Sequence, residues 1–212
     1  MRRGLFIAFE GPEGGGKSTQ LMRLATRLRT DGYVPIVTRE PGGTPAADRI
    51  RDVILDPELR IEPLTEFLLY SASRAQHVRE VIAPALADGR IVLTDRFTGA
   101  SVAYQGYGRG LDVEFVRSLN ARAADGLEPD RTLLFDLDPT VGLARVNARG
   151  TPDRLEAADL DFHERVRAGF LAQAAEHDSW LRFDAGDGPG ALEEAVWSAV
   201  APLLPPPADV GP

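Results

Sequence analysis

Gly11-Pro12-Glu13-Gly14-Gly15-Gly16-Lys17-Ser18 follows the apolar run Leu5-Phe6-Ile7-Ala8-Phe9, and Ser18-Thr19-Gln20-Leu21 opens a helix-forming stretch behind it. The spacing is G-x-x-x-x-G-K-S between a strand and a helix, the setting in which this pattern cradles nucleotide phosphates. Glycines let the backbone wrap an anion with no Cβ in the way, so that N–H groups and the helix N-terminus face phosphate oxygens. Lys17 adds a point charge for the β- and γ-phosphates, and the Ser18 hydroxyl suits Mg²⁺. The competing account is a glycine-rich turn with a chance lysine. The strand before and the helix after argue against it. Gly11, Pro12, Glu13, Gly14, Gly15, Gly16, Lys17 and Ser18 are therefore the expected phosphate-binding set.

Outward from this loop, apolar strand-like runs alternate with longer helical patterns. Strands are predicted at 5–9, 34–38, 91–94, 132–137 and 181–183, and helices at 18–30, 46–55, 65–88, 113–124, 140–148, 161–176 and 191–204. Near-continuous apolar runs such as Ile91-Val92-Leu93 suit parallel strands covered on both faces. Asp31-Gly32, Asp88-Gly89 and Arg149-Gly150 read as helix ends, and Asp112 and Thr140 as N-caps. The alternation implies an α/β fold, a three-layer α/β/α sandwich on a central parallel five-stranded sheet. No repeat or linker-like shift in composition divides residues 1–204, so one domain is expected. The proline-rich 205–212 is expected to be a disordered tail.

A chain of 212 residues supports a core of this size. Its net charge of −8 argues against a nucleic-acid footprint. The absence of cysteine excludes disulfides, thiol catalysis and cysteine–metal sites, and fits a reducing cytoplasm. The apolar run after Met1-Arg2-Arg3 is too short for a signal peptide and meets Glu10, so it reads as an internal strand. No segment reaches the length of a membrane span.

The loop alone does not separate a kinase from a switch GTPase or a motor. Ile91-Val92-Leu93-Thr94-Asp95-Arg96 is a strand ending in Asp-Arg, which places a candidate Mg²⁺-region carboxylate and a cation at the same crevice. No N-K-x-D guanine-reading sequence occurs, and Asp187-Gly188-Pro189-Gly190 reads as a loop. Thr38-Arg39-Glu40-Pro41-Gly42-Gly43 puts a cation on a glycine-rich bend. Tyr70 and Arg74 stand four residues apart on one helical face. They could stack on a base and bond its edge, or belong with Phe67, Val78 and Val81 to an ordinary core stripe.

Taken together, residues 10–18, Thr38-Arg39-Glu40-Pro41-Gly42-Gly43-Thr44, Asp95-Arg96-Phe97 and Ala103-Tyr104-Gln105-Gly106 occur in the order seen in bacterial thymidylate kinases. Arg149-Gly150 through Asp153-Arg154 is similar to the lid of that family, about 145–158. The resemblance runs from Gly4 to about Pro202. It implies a P-loop nucleoside monophosphate kinase that moves the γ-phosphoryl of ATP to dTMP with Mg²⁺, as a cytoplasmic homodimer. By the resemblance, Glu13 lies near the deoxyribose 3′-hydroxyl, and Arg39 and Arg96 grip the acceptor phosphate. Tyr70 stacks on thymine, Arg74 bonds its O4 edge, Tyr104 crowds the 2′ position and Gln105 faces the base. Asp95 serves the magnesium region with Ser18. Ala100 stands where the family commonly has serine, and Ser101 follows it. The loop has Gly14 after its acidic residue where some relatives have arginine, so Arg149 and Arg154, with Arg145 nearby, are the expected lid cations beside Lys17 and Arg96.

The acceptor is expected to be a phosphate monoester, mostly dianionic near pH 7. It needs alignment and charge neutralisation more than a general base. His77, His163 and His177 lie outside the motifs and are expected to pack or face solvent. Two other readings stay open at this level: a monophosphate kinase with a different base preference, and a P-loop switch with no acceptor.

Overall fold

The computed structural model describes residues 3–148, 150 and 153–205. Five strands, β1 (Phe6–Glu10), β2 (Ile36–Arg39), β3 (Val92–Asp95), β4 (Arg131–Asp136) and β5 (Trp180–Asp184), form one parallel sheet in the order β2-β3-β1-β4-β5. Each predicted strand is present, shifted by one or two residues.

Alternation along β1 shows why the sheet is covered twice. Ile7 and Phe9 pack with Leu21, Leu24 and Leu28 of α1 (Lys17–Thr30) and with Val196 and Val200 of α9 (Pro189–Val200). Phe6 and Ala8 point the other way, against Val78, Ile82 and Phe97. α8 (Leu160–Glu176) adds Phe162, Val166 and Phe170 to a cluster holding Tyr104 and Leu134. Helices thus cover both faces, as a parallel sheet of apolar strands requires.

α2 (Pro45–Leu55), α6 (Val113–Ala123) and α7 (Pro139–Asn147) fall where periodicity placed them. The long helix predicted over 65–88 is divided. α3 (Pro63–His77) runs into a π-helical turn, Val78–Ile82, and then α4 (Ala83–Ala87). Pro84 has no N–H to give to the turn before it, and its ring crowds that carbonyl, so the ladder widens just upstream. Asp112 caps α6 as expected, accepting from Phe115 N at 2.7 Å. The cap of α7 is Asp138, which accepts from Thr140 N at 2.9 Å, so the Thr140 assignment is corrected by two residues.

One helix was absent from the sequence reading. α5 (Thr98–Ser101) continues as a π-helical segment, Val102–Gly108, almost wholly buried. Gly99, Gly106 and Gly108 depress helix propensity here, and tertiary packing overrides it. Gly169 of α8 lets this segment approach so closely that a Cβ there would lie 2.8 Å from the Tyr107 ring and 3.0 Å from Ala103 Cα. The carboxyl ends of β2 and β3 deliver Arg39 and Asp95 to one crevice with the glycine loop that follows β1, the usual ligand position in an open α/β sheet.

Candidate nucleotide and phosphate-acceptor site

The glycine-rich loop is shaped by what stands behind it. Gly14 has φ +71°, and a Cβ there would meet the Gly142 carbonyl oxygen at 2.5 Å. Gly11 has φ +139° and leaves no room for a Cβ before the Phe135 carbonyl. Only glycine tolerates both constraints. Gly16, left-handed at φ 79°, is the N-cap of α1, so the first N–H groups of that helix are directed to the loop's concave side.

Lys17 is buried, and its Nζ donates to the Pro12 carbonyl at 2.8 Å. Burial first, and the nearby Arg96 second, push its pKa down to about 8. Ser18 Oγ donates to Asp95 Oδ2 across the crevice. That pair supplies one hydroxyl and one carboxylate. Among the described residues no group of three or more acidic, His or Cys side chains could hold a metal by itself. Such a sparse oxygen set fits Mg²⁺, which takes one or two protein ligands and completes its octahedron with water and phosphate oxygens.

Arg96 is the hub. Its backbone is left-handed at φ 70°, strained for a residue with a side chain. Its guanidinium reaches Gly11 O at 3.0 Å, Glu13 Oε1 at 2.6 Å and Tyr104 Oη at 3.1 Å, and Tyr104 in turn donates to Glu13 at 2.7 Å. Burial alone would raise the Glu13 pKa. The Arg96 and Lys17 charges and the Tyr104 hydrogen bond outweigh it and bring the carboxyl down to about 2.

Arg74 is fully buried and made into a fixed donor. Its Nε gives to Glu40 at 2.7 Å, Nη1 to Asn120, and Nη2 to the Phe97 carbonyl at 3.0 Å and Ser101 Oγ at 3.1 Å. A guanidinium has five N–H donors, so one, on Nη1, lies outside these bonds among the described residues. His77 completes the scaffold, joining Glu40 at 3.1 Å and Thr38 at 2.7 Å. Arg74, Tyr70, Tyr104 and Gln105 line one pocket with Glu13, Glu40 and Arg96. Arg74 is thus a core residue, as the second sequence reading of the Tyr70–Arg74 face expected, and it also stands at a pocket wall.

A second cavity holds Lys17, Ser18, Gly14 and Gly16 with Arg39 and Asp95. Both cavities are lined by Glu13, Glu40, Tyr70, Arg96 and Leu155, so they adjoin along a common wall. Gln105 gives its amide N–H to buried Glu66 at 2.9 Å. Arg39 is exposed, 3.3 Å from Asp48.

Of the expected lid cations, Arg145 and Arg154 fall within the described residues, and neither lines the phosphate cavity. Arg154 is absent from the phosphate cavity lining. Its Nη1 pairs with Glu66 at 2.6 Å and its Nε donates to Ile54 O at 2.9 Å. Arg145 lies under the loop, donating to Gly14 O at 3.1 Å and Ala185 O at 3.2 Å. Arg149, and the tail from 206 onward, lie outside the described residues. Sequence reasoning missed Arg51, which lines the phosphate cavity and donates to Pro41 O at 3.0 Å. It also missed Glu40 and Asn120 as the fixings of Arg74. Glu40 stood inside a quoted motif. Asn120, an amide on the buried face of α6, was a signal available only to someone asking what Arg74 bonds.

A glycine loop whose cavity shares a wall with a second pocket defines the class of P-loop nucleotide kinases. The Thymidylate kinase family model matches residues 9–196. A thymidylate kinase of Deinococcus radiodurans is 57% identical over 202 residues, covering 95% of this chain and 98% of that protein. One from Synechococcus sp. strain JA-2-3B'a(2-13) is 52% identical, with 95% and 96% covered. The solved structure of thymidylate kinase from Ehrlichia chaffeensis superposes with a TM-score of 0.75 at 29% identity, covering 93% of this chain and 99% of that one. The chain belongs to the thymidylate kinase family.

Proposed function

We propose that the chain phosphorylates dTMP to dTDP at the two adjoining cavities, with ATP as donor in the glycine loop and Ser18 and Asp95 as the residues that would hold Mg²⁺. The observation that carries this reading is the shared wall, because Arg96 and Glu13 line both the phosphate cradle and the pocket walled by Tyr70, Arg74 and Tyr104. A switch that only hydrolyses its nucleotide has no use for the second pocket.

In this reading the first N–H groups of α1 and the Lys17 ammonium hold the donor phosphates, and Arg39 and Arg96 hold the acceptor phosphate in line. Mg²⁺, when bound, neutralises charge on the transferring phosphoryl group and its β-oxygen neighbour. The acceptor is already a dianion, so no side chain needs to remove a proton. Glu13, ionised at neutral pH, keeps Arg96 oriented and is positioned to accept from the sugar 3′-hydroxyl. The free N–H on Arg74 Nη1 fits a thymine O4, Tyr70 the ring face, and the Tyr104 ring the 2′ edge. Arg149 supplies the lid cation. Arg154 fastens the following segment to α3.

Homodimerisation fits the face formed by α2, α3 and α6, which leaves Val53, Leu64, Leu68 and Phe115 exposed. Light scattering on wild type and Leu68→Lys tests it. Among the described residues no helix is long and apolar enough to cross a membrane, and a cytoplasmic setting fits the cysteine-free sequence. The function itself is tested by coupled ADP release with dTMP, dUMP, dGMP, AMP and no acceptor. Turnover dependent on dTMP supports it, and turnover equal without any acceptor overturns it.

A further inference from the structure

Behind the acceptor pocket lies another cavity, of about 310 Å³, between α5, α6, the end of α8 and the start of β4 and β5. Only Phe97 lines both it and the acceptor pocket, and it shares no residue with the phosphate cavity. Its size is that of ordinary small-molecule pockets, roughly 300–1,000 Å³. Val102, Leu127 and Trp180 give it an apolar body, while Ala121 lies exposed at its rim.

Its polar side is unusual. Glu10, 1% exposed, lines the cavity. Its Oε1 accepts from Phe97 N at 2.9 Å and Ala100 N at 3.0 Å, and its Oε2 has no hydrogen-bond partner. The other amides on this wall are committed, Asn120 to Arg74 and Thr98 O, Gln173 to Gly99 O and Gly169 O. Of the buried side-chain atoms without partners among the described residues, only this oxygen belongs to a cavity-lining residue. A buried polar atom left in that state is destabilising, and a ligand group meeting it would relieve that cost.

The charges decide what kind of ligand. Arg117, the one guanidinium of the wall, is already paired with Glu176 and Glu114, and Glu128 stands at the rim. Among the described residues no free guanidinium or ammonium on this wall awaits a phosphate, so nucleotides are disfavoured and an uncharged molecule is preferred. Burial holds the Glu10 pKa up at about 7. With Oε1 occupied by two N–H groups, its proton resides on Oε2, which therefore donates when neutral and accepts when ionised. A cyclic amide presents both a C=O and an N–H on one edge and suits either form.

We propose that this cavity is a second small-molecule site, taking an uncharged planar cyclic amide whose N–H/C=O edge meets Glu10 Oε2, and that its occupancy is felt at the acceptor pocket. The link is short. Glu10 holds the two backbone N–H groups that open α5, and α5 and its continuation carry Ser101, Tyr104 and Gln105. A ligand that fixes Glu10 fixes that turn and tightens the acceptor pocket. This goes beyond the catalytic reading, since binding is measured without turnover.

The probe is 2-pyridone, with dTMP saturating the first site. Crystals soaked in it should show the amide edge on Glu10 Oε2, and ligand-observed NMR should show binding that Ala121→Trp, which plugs the rim, removes. Glu10→Gln keeps an oxygen for the two N–H groups and replaces Oε2 by a fixed donor, so it should weaken 2-pyridone while the protein stays folded. Titration calorimetry should show dTMP bound about fivefold tighter with 2-pyridone present, the low end of ordinary site–site coupling. Ordered water alone in the cavity, or binding indifferent to Ala121→Trp, overturns the site. Bound 2-pyridone with an unchanged dTMP Kd overturns the linkage.

Discussion

The glycine loop and the adjoining pocket, to which we assign donor and acceptor, are of opposite construction. The loop is made of backbone, with glycines pressed against the carbonyls of Phe135 and Gly142 and one lysine laid across. The pocket is made of side chains scattered along the chain from Glu13 to Leu155, and its chief donor, Arg74, is held by Glu40, Asn120, Phe97 and Ser101 deep in the core. A backbone cradle can lose a side chain and keep its shape. A pocket woven from buried ion pairs cannot. Chemistry and folding are separable in the first region and inseparable in the second.

The sharpest break of this contrast is Arg74→Met. It leaves Glu40 buried with only His77 and strands the Asn120 and Ser101 acceptors. Losing one member of a buried pair costs about 3–5 kcal/mol. Urea denaturation should show a loss of that order together with a raised KM for dTMP. Unchanged stability would mean that Arg74 is a site residue only.

Lys17→Ala is the opposite case. Its ammonium is buried at a pKa pushed down to about 8, so removing it relieves a desolvation cost and stability should hold. Deleting one contact to developing phosphate charge lowers kcat by about 10²–10³. Stopped assays beside a melting curve check both halves. A large fall in Tm would erase the distinction between the two regions.

The same contrast explains what was legible in the sequence. The loop, the strand ending in Asp95-Arg96 and the strand–helix alternation are local patterns, and all appear where spacing placed them. α5 and its π-helical continuation were hidden because their glycines serve close packing, Gly99 against Trp180 and Gly108 against Phe162 and Val166, rather than helix propensity. The bonds of Arg74 join positions 40, 97, 101 and 120, and no local period reports contacts that distant. The placement of Arg154 on Glu66 was equally invisible. Two basic residues after a helix look alike whether they reach for phosphate or for a buried carboxylate.

Between these extremes stands Glu10, at the junction of loop and pocket, with its carboxyl raised to about 7 by burial against an ordinary 4.5. A folded pKa above the unfolded one means stability that is whole below about pH 4.5 and declines as pH rises through 7. Glu13, brought down to about 2, works in a separate window, its contribution being present above 4.5 and lost toward pH 2. Lys17, lowered from 10.5 to about 8, adds stability only as pH climbs beyond 8. From pH 5 to 7 Glu10 therefore dominates among these groups, with a loss of at most about 3 kcal/mol. Denaturation at several pH values should show that decline in wild type and a flatter profile in Glu10→Gln.

The smallest expected effect is the most selective. Tyr104 packs its ring against Phe162 and Phe170, at centroid distances of 6.2 and 6.0 Å, and turns its hydroxyl to Glu13. If the ring excludes a 2′-hydroxyl by bulk, Tyr104→Phe should keep the preference for dTMP over its 2′-hydroxy analogue while losing the Glu13 bond. Tyr104→Ala should relax that preference by about tenfold, the range one small group earns in a fitted pocket. Tyr104→Ala also leaves a hole in the core and lowers the fraction of folded enzyme. The ratio of kcat/KM values for the two substrates is immune to this, because the concentration of active enzyme cancels. A ratio that relaxes in Tyr104→Phe as much as in Tyr104→Ala would assign the discrimination to the hydroxyl and its hold on Glu13. The acceptor pocket would then select by hydrogen bonding, as the donor loop does, and one difference between the two regions would vanish.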